Sequence, residues 1–262
     1  MRAIIAKEAG GPEVLSIQET DAPTPGPGEV LVRTAAVGVN FIETYQRSGL
    51  YRVPLPFTPG AEAAGTVIAV GDGVAGVELG SLVATAEGRA SYAEQFVVPA
   101  AAAVQVPSGI TAEVAAALPL QGLTAHYLAT SAARPESGET VLVHAGAGGV
   151  GLLLTQLLTA RGVRVLTTVS TPEKRALSLA AGAVEALDYA EFADRARELT
   201  DGAGVAVVYD GVGKDTFDDS LRALRVRGEL VLFGGASGPV PPFDLQRLNA
   251  AEVAKLINVF VV

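Results

Sequence analysis

Between His144 and Gly151 the chain reads HAGAGGVG, and its setting restricts the fold more than any other stretch does. The apolar run Thr140–His144 leads into it, and Gly149–Arg161 has the length and composition of a helix. Val163–Val169 is a second apolar run, so the string lies inside a strand–helix–strand unit. Gly146, Gly148 and Gly151 make a Gly-x-Gly-x-x-Gly pattern, which alone says little in a chain with 30 glycines. Placed after a strand and opening a helix, it fits a dinucleotide pyrophosphate better than an ordinary strand-to-helix turn. The glycines allow a tight turn and close backbone approach, while the amides of Gly149, Val150 and Gly151 present the positive end of the helix to phosphate oxygens.

The end of the second strand bears on which dinucleotide fits. A site for NAD places an Asp or Glu there to accept from the ribose 2′-hydroxyl. This chain has Ser170-Thr171-Pro172-Glu173-Lys174-Arg175 instead. Two hydroxyls followed by two cations suit a 2′-phosphate, which a carboxylate would repel, so NADPH is the expected cofactor. The same residues also read as a helix start capped by Ser170 or Thr171, and both readings hold together.

Beyond this unit the chain keeps alternating apolar runs with helical stretches. Pro172–Ala181 is a helix, Val184–Asp188 a strand, and Val205–Tyr209 and Glu229–Phe233 further strands flanking a helix over Asp215–Leu224. Continuous apolar strands with crossover helices predict a doubly wound parallel sheet. Residues 1 to about 115 have another rhythm. Short runs at Val30–Val37, Ala64–Val70, Ser81–Thr85 and Ala93–Pro99 are separated by proline- and glycine-rich stretches such as Ala22–Gly28, the pattern of a mainly β domain. Val70–Gly73 predicts a tight hairpin turn.

Composition removes several classes of function. Hydrophobic residues make up 49% and charged residues 18% of the chain, which describes a folded protein. A net charge of −9 argues against a nucleic-acid partner and against anionic membrane surfaces. No apolar run is long enough to suggest a membrane span, and the N-terminus lacks a signal-peptide pattern, so a cytoplasmic location is expected. With no cysteine and only His126 and His144 as histidines, thiolate chemistry and the common zinc sites are excluded.

Several longer strings then align with one family. VGVNFIETYQRSGLY (Val37–Tyr51), PFTPGAEAAGTV (Pro56–Val67), LQGLTAHYL (Leu120–Leu128), HAGAGGVG and VVYDGVGKDT (Val207–Thr216) resemble the zinc-free quinone oxidoreductases, the zeta-crystallin-like branch of the medium-chain dehydrogenases. The resemblance implies an α/β protein with a GroES-like, mainly β catalytic domain over residues 1–118. A Rossmann domain with a doubly wound parallel sheet would follow over 119–262, with NADPH in the cleft between the two. It implies that Asn40, Tyr45 and Tyr51 line the nicotinamide and substrate pocket and that Thr124 contacts the nicotinamide. Lys174 and Tyr189, beside Ser170 and Thr171, would hold the 2′-phosphate, and Phe233, Gly234 and Ser237 of FGGASG would approach the nicotinamide ribose. Against these stand plainer roles: Tyr45 and Tyr51 as cleft wall, the Phe233 ring as core, His144 as a packed hydrogen-bonded residue and His126 as structural.

The resemblance runs from Met1 to about Asn249. Family members continue through another strand, further helices and a last strand returning to the first domain, whereas this sequence reads AAEVAKLINVFVV. The expectation is an uncharged edge strand at Leu256–Val262 that promotes self-association, as in a homodimer, or a loosened first domain with weakened turnover.

In related zinc enzymes a histidine precedes the glutamate of the Gly-x-Glu segment, here Gly60-Ala61-Glu62. Without a metal to polarise a carbonyl, a quinone is a suitable small-molecule acceptor, because it is already electrophilic and spreads the added charge into a ring. An enoyl reductase acting on an activated double bond is the alternative chemistry, and a nucleotide-binding relative without turnover the alternative class. Quinone reductase activity is expected to survive exhaustive chelation; loss of turnover that added zinc restores would contradict the metal-free reading.

Overall fold

In the antiparallel half, β-branched and small residues set the strands and proline–glycine pairs end them. The computed structural model describes residues 1–250 and 255–258. They fall into two compact units, Met1–Leu120 and Gln121–Val262.

The first unit opens with an antiparallel pair, β1 (Arg2–Ala6) and β2 (Leu15–Glu19). Next come β3 (Glu29–Val37), helix α1 (Phe41–Ser48), β4 (Ala63–Val70), β5 (Leu82–Thr85), β6 (Gln95–Pro99) and β7 (Val104–Gln105). Helix α2 (Ala112–Ala116) closes the series. The strands from β3 onward form a five-stranded antiparallel sheet in the order β6-β3-β4-β5-β7. Val30, Val32, Val67, Val83, Phe96 and Val98 bury one side of it. Gly65 of β4 lies where a Cβ would stand 2.1 Å from the Arg33 carbonyl oxygen, so the bend where β4 crosses β3 needs glycine.

The tight hairpin expected at Val70–Gly73 does not form. A two-residue type I′ turn requires positive φ at both central residues, and neither Gly71 nor Asp72 has it. The Gly71 N–H donates instead to Glu29 O and the Gly28 N–H to Asp72 O, each at 2.8 Å. The turn therefore folds back onto the Gly26–Glu29 corner, and the chain rejoins β4 only at Gly80, whose N–H donates to Val67 O at 2.9 Å just before β5.

The second unit begins with the end of α3 (Pro119–Tyr127) and continues with β8 (Thr140–Val143), α4 (Gly149–Ala160), β9 (Arg164–Thr168) and α5 (Pro172–Ala180). After β10 (Glu185–Leu187) come α6 (Phe192–Glu198), β11 (Val205–Asp210), α7 (Phe217–Ala223), β12 (Leu224–Leu232), α8 (Arg247–Ala250) and β13 (Lys255–Asn258). The six strands are parallel in the order β10-β9-β8-β11-β12-β13. Both faces are apolar, which explains the continuous hydrophobic runs. Val141, Val143, Val165, Val207, Tyr209 and Val231 pack on one side with Leu154 and Leu158 of α4. Leu142, Leu166, Val208 and Leu230 pack on the other with Phe192 of α6 and Phe217 and Leu221 of α7.

Three readings of the sequence needed correction. Helix α6 was not anticipated, β12 begins five residues before Glu229, and α7 begins at Phe217 rather than Asp215. Arg225 and Arg227, neither of them buried, mask the early strand, although Leu224 at its start packs into the core. The strand expected at Leu256–Val262 is seen as Lys255–Asn258, paired in parallel with β12; residues 259–262 lie outside those described. Among the described residues no helix is long and apolar enough to cross a membrane.

Leu142 is fully buried at the centre of the parallel sheet. Leu142→Ala should lower the stability of the second unit by about 2–5 kcal/mol, read from its denaturant midpoint.

Candidate functional site

The strand order reverses between β8 and β11, and in an open parallel sheet the carboxyl ends of the strands at such a reversal form the usual ligand crevice. The glycine loop leaves β8 at this point. Gly146 passes so close to β9 that a Cβ would meet Thr167 at 2.4 Å, and at Gly151 it would meet Ala145 O at 2.3 Å. Those two glycines let α4 approach its strand. Gly148 is the helix N-cap and has no side chain to cap with, so the first amides of α4, on Gly149, Val150 and Gly151, have no acceptor within the helix. Gly149 faces the Gln121 side chain, where a Cβ would come within 1.8 Å of Oε1.

At the end of β9, Thr171 caps α5 by accepting from the Lys174 N–H at 3.3 Å. The Lys174 ammonium donates to Ser170 Oγ at 3.2 Å and makes no ion pair among the described residues. Its neighbour Arg175 is already held by Asp188 and by the Ala186 carbonyl, so one cation rather than two faces this corner. The Tyr189 hydroxyl reaches back to accept from the Ala145 N–H at 3.1 Å. Tyr189 is thereby tied to the glycine loop, and Ser170 and Thr171 to Lys174, with the oxygen and nitrogen groups that an anion would use.

The FGGASG segment follows β12. The Phe233 N–H donates to Asp210 O at 2.9 Å, and its half-buried ring packs on the core beside α4. Gly234 approaches Gly211, where a Cβ would lie 2.7 Å from the carbonyl oxygen. The Ser237 hydroxyl is used internally: it donates to Val212 O at 2.9 Å and accepts from the Asp215 N–H at 3.0 Å. Ser237 thus ties two loops together instead of presenting a spare donor. Thr124 is buried within α3. His126 is exposed on the same helix, while His144 is buried and hydrogen-bonded through both ring nitrogens, as expected for a packed residue.

In the first unit, Asn40 caps α1, and Glu43 completes a capping box by accepting from the Asn40 N–H at 2.6 Å. Asn40 Nδ2 donates to Glu62 Oε2 at 2.7 Å, and the other oxygen of Glu62 takes the Leu120 N–H at 2.8 Å. The Tyr92 hydroxyl donates to Glu43 Oε2 at 3.0 Å. Tyr45 and Tyr51 stand together at 5.1 Å between ring centroids, with Phe41 edge-on to Tyr45 at 5.2 Å. The sequence singled out Asn40 and both tyrosines, but not Glu43, Tyr92 or the holding role of Glu62. The Asn-x-x-Glu spacing was the available signal.

Burial raises both carboxyl groups above the ordinary Glu value. Glu62 is partly compensated by the Asn40 and Leu120 donors, and Glu43 by those from Asn40 and Tyr92. Gly38 makes room for this cluster, since a Cβ there would fall 2.0 Å from Glu62 Oε2 and 2.5 Å from Ala116 O. The donor set does not fit zinc: cysteine is absent from the sequence and both Glu62 oxygens are engaged. No cluster of three or more histidine or acidic side chains suited to a metal occurs among the described residues.

Residues 26–108 match the alcohol dehydrogenase GroES-like domain and residues 149–261 the zinc-binding dehydrogenase domain. Together these define an oxidoreductase of the medium-chain dehydrogenase class. A quinone oxidoreductase of Pseudomonas aeruginosa is 49% identical over 92% of this chain and 75% of its own length. Among solved structures, a mycobacterial protein complexed with NADPH superposes with a TM-score of 0.96 at 53% identity, covering 100% of this chain and 82% of that one. Escherichia coli quinone oxidoreductase complexed with NADPH gives 0.95 at 39% identity, covering 100% and 81%. The chain belongs to the quinone oxidoreductase branch of this class.

Asn40→Asp would set two carboxylates where an amide now donates to Glu62. We expect a loss of about 1–3 kcal/mol near neutral pH. Each carboxyl of the pair would be raised above its unfolded value. The loss should therefore be largest at higher pH and shrink as pH falls into the ordinary carboxylate range, which denaturant midpoints at the two extremes would read.

Proposed function

We propose that this chain reduces quinones by hydride transfer from NADPH and uses no metal. The observation that carries the proposal is the end of β9. There Ser170, Thr171 and Lys174, which makes no ion pair among the described residues, occupy the corner where an NAD site would place an acid, next to a glycine loop at the strand-order reversal. The family relatives named for quinone reduction and the neighbours solved with NADPH point the same way.

The residues divide by task. The amides at the start of α4 hold the pyrophosphate, with Gly146 and Gly151 permitting the approach. Lys174, with Ser170, Thr171 and the Tyr189 hydroxyl, holds the 2′-phosphate by charge-assisted hydrogen bonds. Thr124, Phe233 and Gly234 support the nicotinamide end, while Ser237 keeps the Phe233–Gly238 loop in place. When bound, NADPH supplies the two-electron reducing equivalent.

Asn40, Tyr45 and Tyr51 hold the acceptor ring. Glu62 fixes the Asn40 amide with its nitrogen toward the carboxylate, and the Tyr45–Tyr51 pair gives an aromatic wall with hydroxyl donors. Charge that develops on a quinone oxygen needs only such donors and orientation, because the ring itself delocalises it.

Nicotinamide absorbance followed with and without a simple benzoquinone tests the proposal: quinone-dependent NADPH oxidation supports it, and no acceleration rejects it. Lys174→Ala should weaken NADPH binding by about 1–2 kcal/mol and leave NADH binding unchanged. Equal affinity of the unaltered protein for NADH and NADPH would remove the 2′-phosphate assignment.

A further inference from the structure

Beneath the glycine loop lies a chain of buried polar groups that the proposed function does not use. Asp210 ends β11 and is fully buried. Its Oδ1 accepts from the Val212 and Gly213 amides, each at 2.9 Å, and Thr216 Oγ1 bonds to both of its oxygens. Ser220 Oγ donates to Oδ2 at 2.8 Å. His144 Nε2 lies 2.9 Å from Ser220 Oγ, and His144 Nδ1 lies 2.8 Å from Thr168 Oγ1. Thr168 Oγ1 also accepts from the Ala145 N–H at 3.3 Å.

Counting protons gives this chain a direction. A hydroxyl has one proton, and that of Ser220 is used on Asp210, so Ser220 can only accept from the imidazole. His144 must then carry its proton on Nε2, which leaves Nδ1 as an acceptor. The Thr168 proton therefore goes to Nδ1, and the Thr168 oxygen is left to take the Ala145 amide. Burial lowers the basicity of His144 and the Asp210 charge opposes it, with the neutral ring favoured. The titratable groups facing the ring are Asp210, 3.9 Å from Nε2, and Tyr189, stacked on it at 6.0 Å.

Ala145 gives the chain a purpose. It is the residue before the first glycine of the loop and has a φ of 52°, a left-handed conformation that alanine seldom adopts. Its N–H is held by Thr168 Oγ1 and by the Tyr189 hydroxyl. A Ser, His and Asp in contact also invite comparison with a hydrolytic triad. Here Asp210 bonds the serine rather than Nδ1 of the imidazole, and all three are buried, so no nucleophile is presented.

We propose that Asp210, Ser220, His144 and Thr168 form a one-way hydrogen-bond chain that holds the turn at Ala145, which makes them positioning residues for dinucleotide binding. The inference rests on the NADPH reading, and two measurements separate the two. The first needs no cofactor. In a His126→Gln protein the single remaining histidine can be read by nitrogen NMR. The chain requires a neutral Nε2–H ring that does not titrate across the folded range, and an Nδ1–H ring or ordinary titration overturns it.

The second measurement uses NADPH. Thr168→Val keeps the shape but removes both the donor to His144 and the acceptor for Ala145. It should raise KM for NADPH on the order of tenfold while KM for the quinone holds, and Thr168→Ser should restore the unaltered value. Unchanged NADPH KM in a folded Thr168→Val protein, or a loss that serine does not rescue, overturns the positioning role. Failure of the unaltered protein to bind NADPH would instead overturn the cofactor reading on which it rests.

Discussion

The close contact of α4 with the ends of β8 and β9 is the constraint on which the second unit depends. It requires two backbone positions without side chains, Gly146 against Thr167 and Gly151 against Ala145. It also determines where the first helical amides point. A methyl group at either position would push the helix away from the sheet, so the close packing depends on the absence of those atoms. Around this contact the remaining polar groups form two tiers. Thr168, His144, Ser220 and Asp210 stabilise the turn from below, and Lys174, Ser170 and Tyr189 surround it at the surface.

The first unit answers a different problem. It must hold one short side chain, Asn40, in a single orientation over a small antiparallel sheet. Two buried carboxylates do this from both sides, Glu43 on the backbone amide and Glu62 on the side-chain amide. Burying them is costly, and each is compensated by donors that the local structure supplies, among them Leu120 N–H and the Tyr92 hydroxyl. Gly38 is the concession that makes room.

Sequence alone revealed the parallel half well, because both faces of that sheet are covered and its two middle strands, β8 and β11, are apolar runs. Val141–Val143 and Val205–Tyr209 could hardly be read otherwise. It failed where a local rule was outvoted by tertiary contacts. The Gly71-Asp72-Gly73 stretch has hairpin composition, yet Gly71 serves a backbone crossing with Gly26. The early part of β12 carries charged residues on its exposed side and so hid its strand. Asn40, the tyrosines and the glycine loop were singled out through local motifs and family resemblance. Glu62, Tyr92 and the His144 chain were not, since their meaning lies in partners brought from distant positions, as with His144 and Ser220, 76 residues apart; Glu43 was missed although the Asn40-x-x-Glu43 spacing is local.

The aromatic cluster of Phe41, Tyr45 and Tyr51 has an optical consequence. The chain contains no tryptophan, and its intrinsic ultraviolet emission comes from six tyrosines. Two of those six sit ring to ring in this cluster. A molecule with its own absorbance that settles against them would quench that emission selectively. The unlabelled protein is thus its own reporter of what occupies the wall of the first unit.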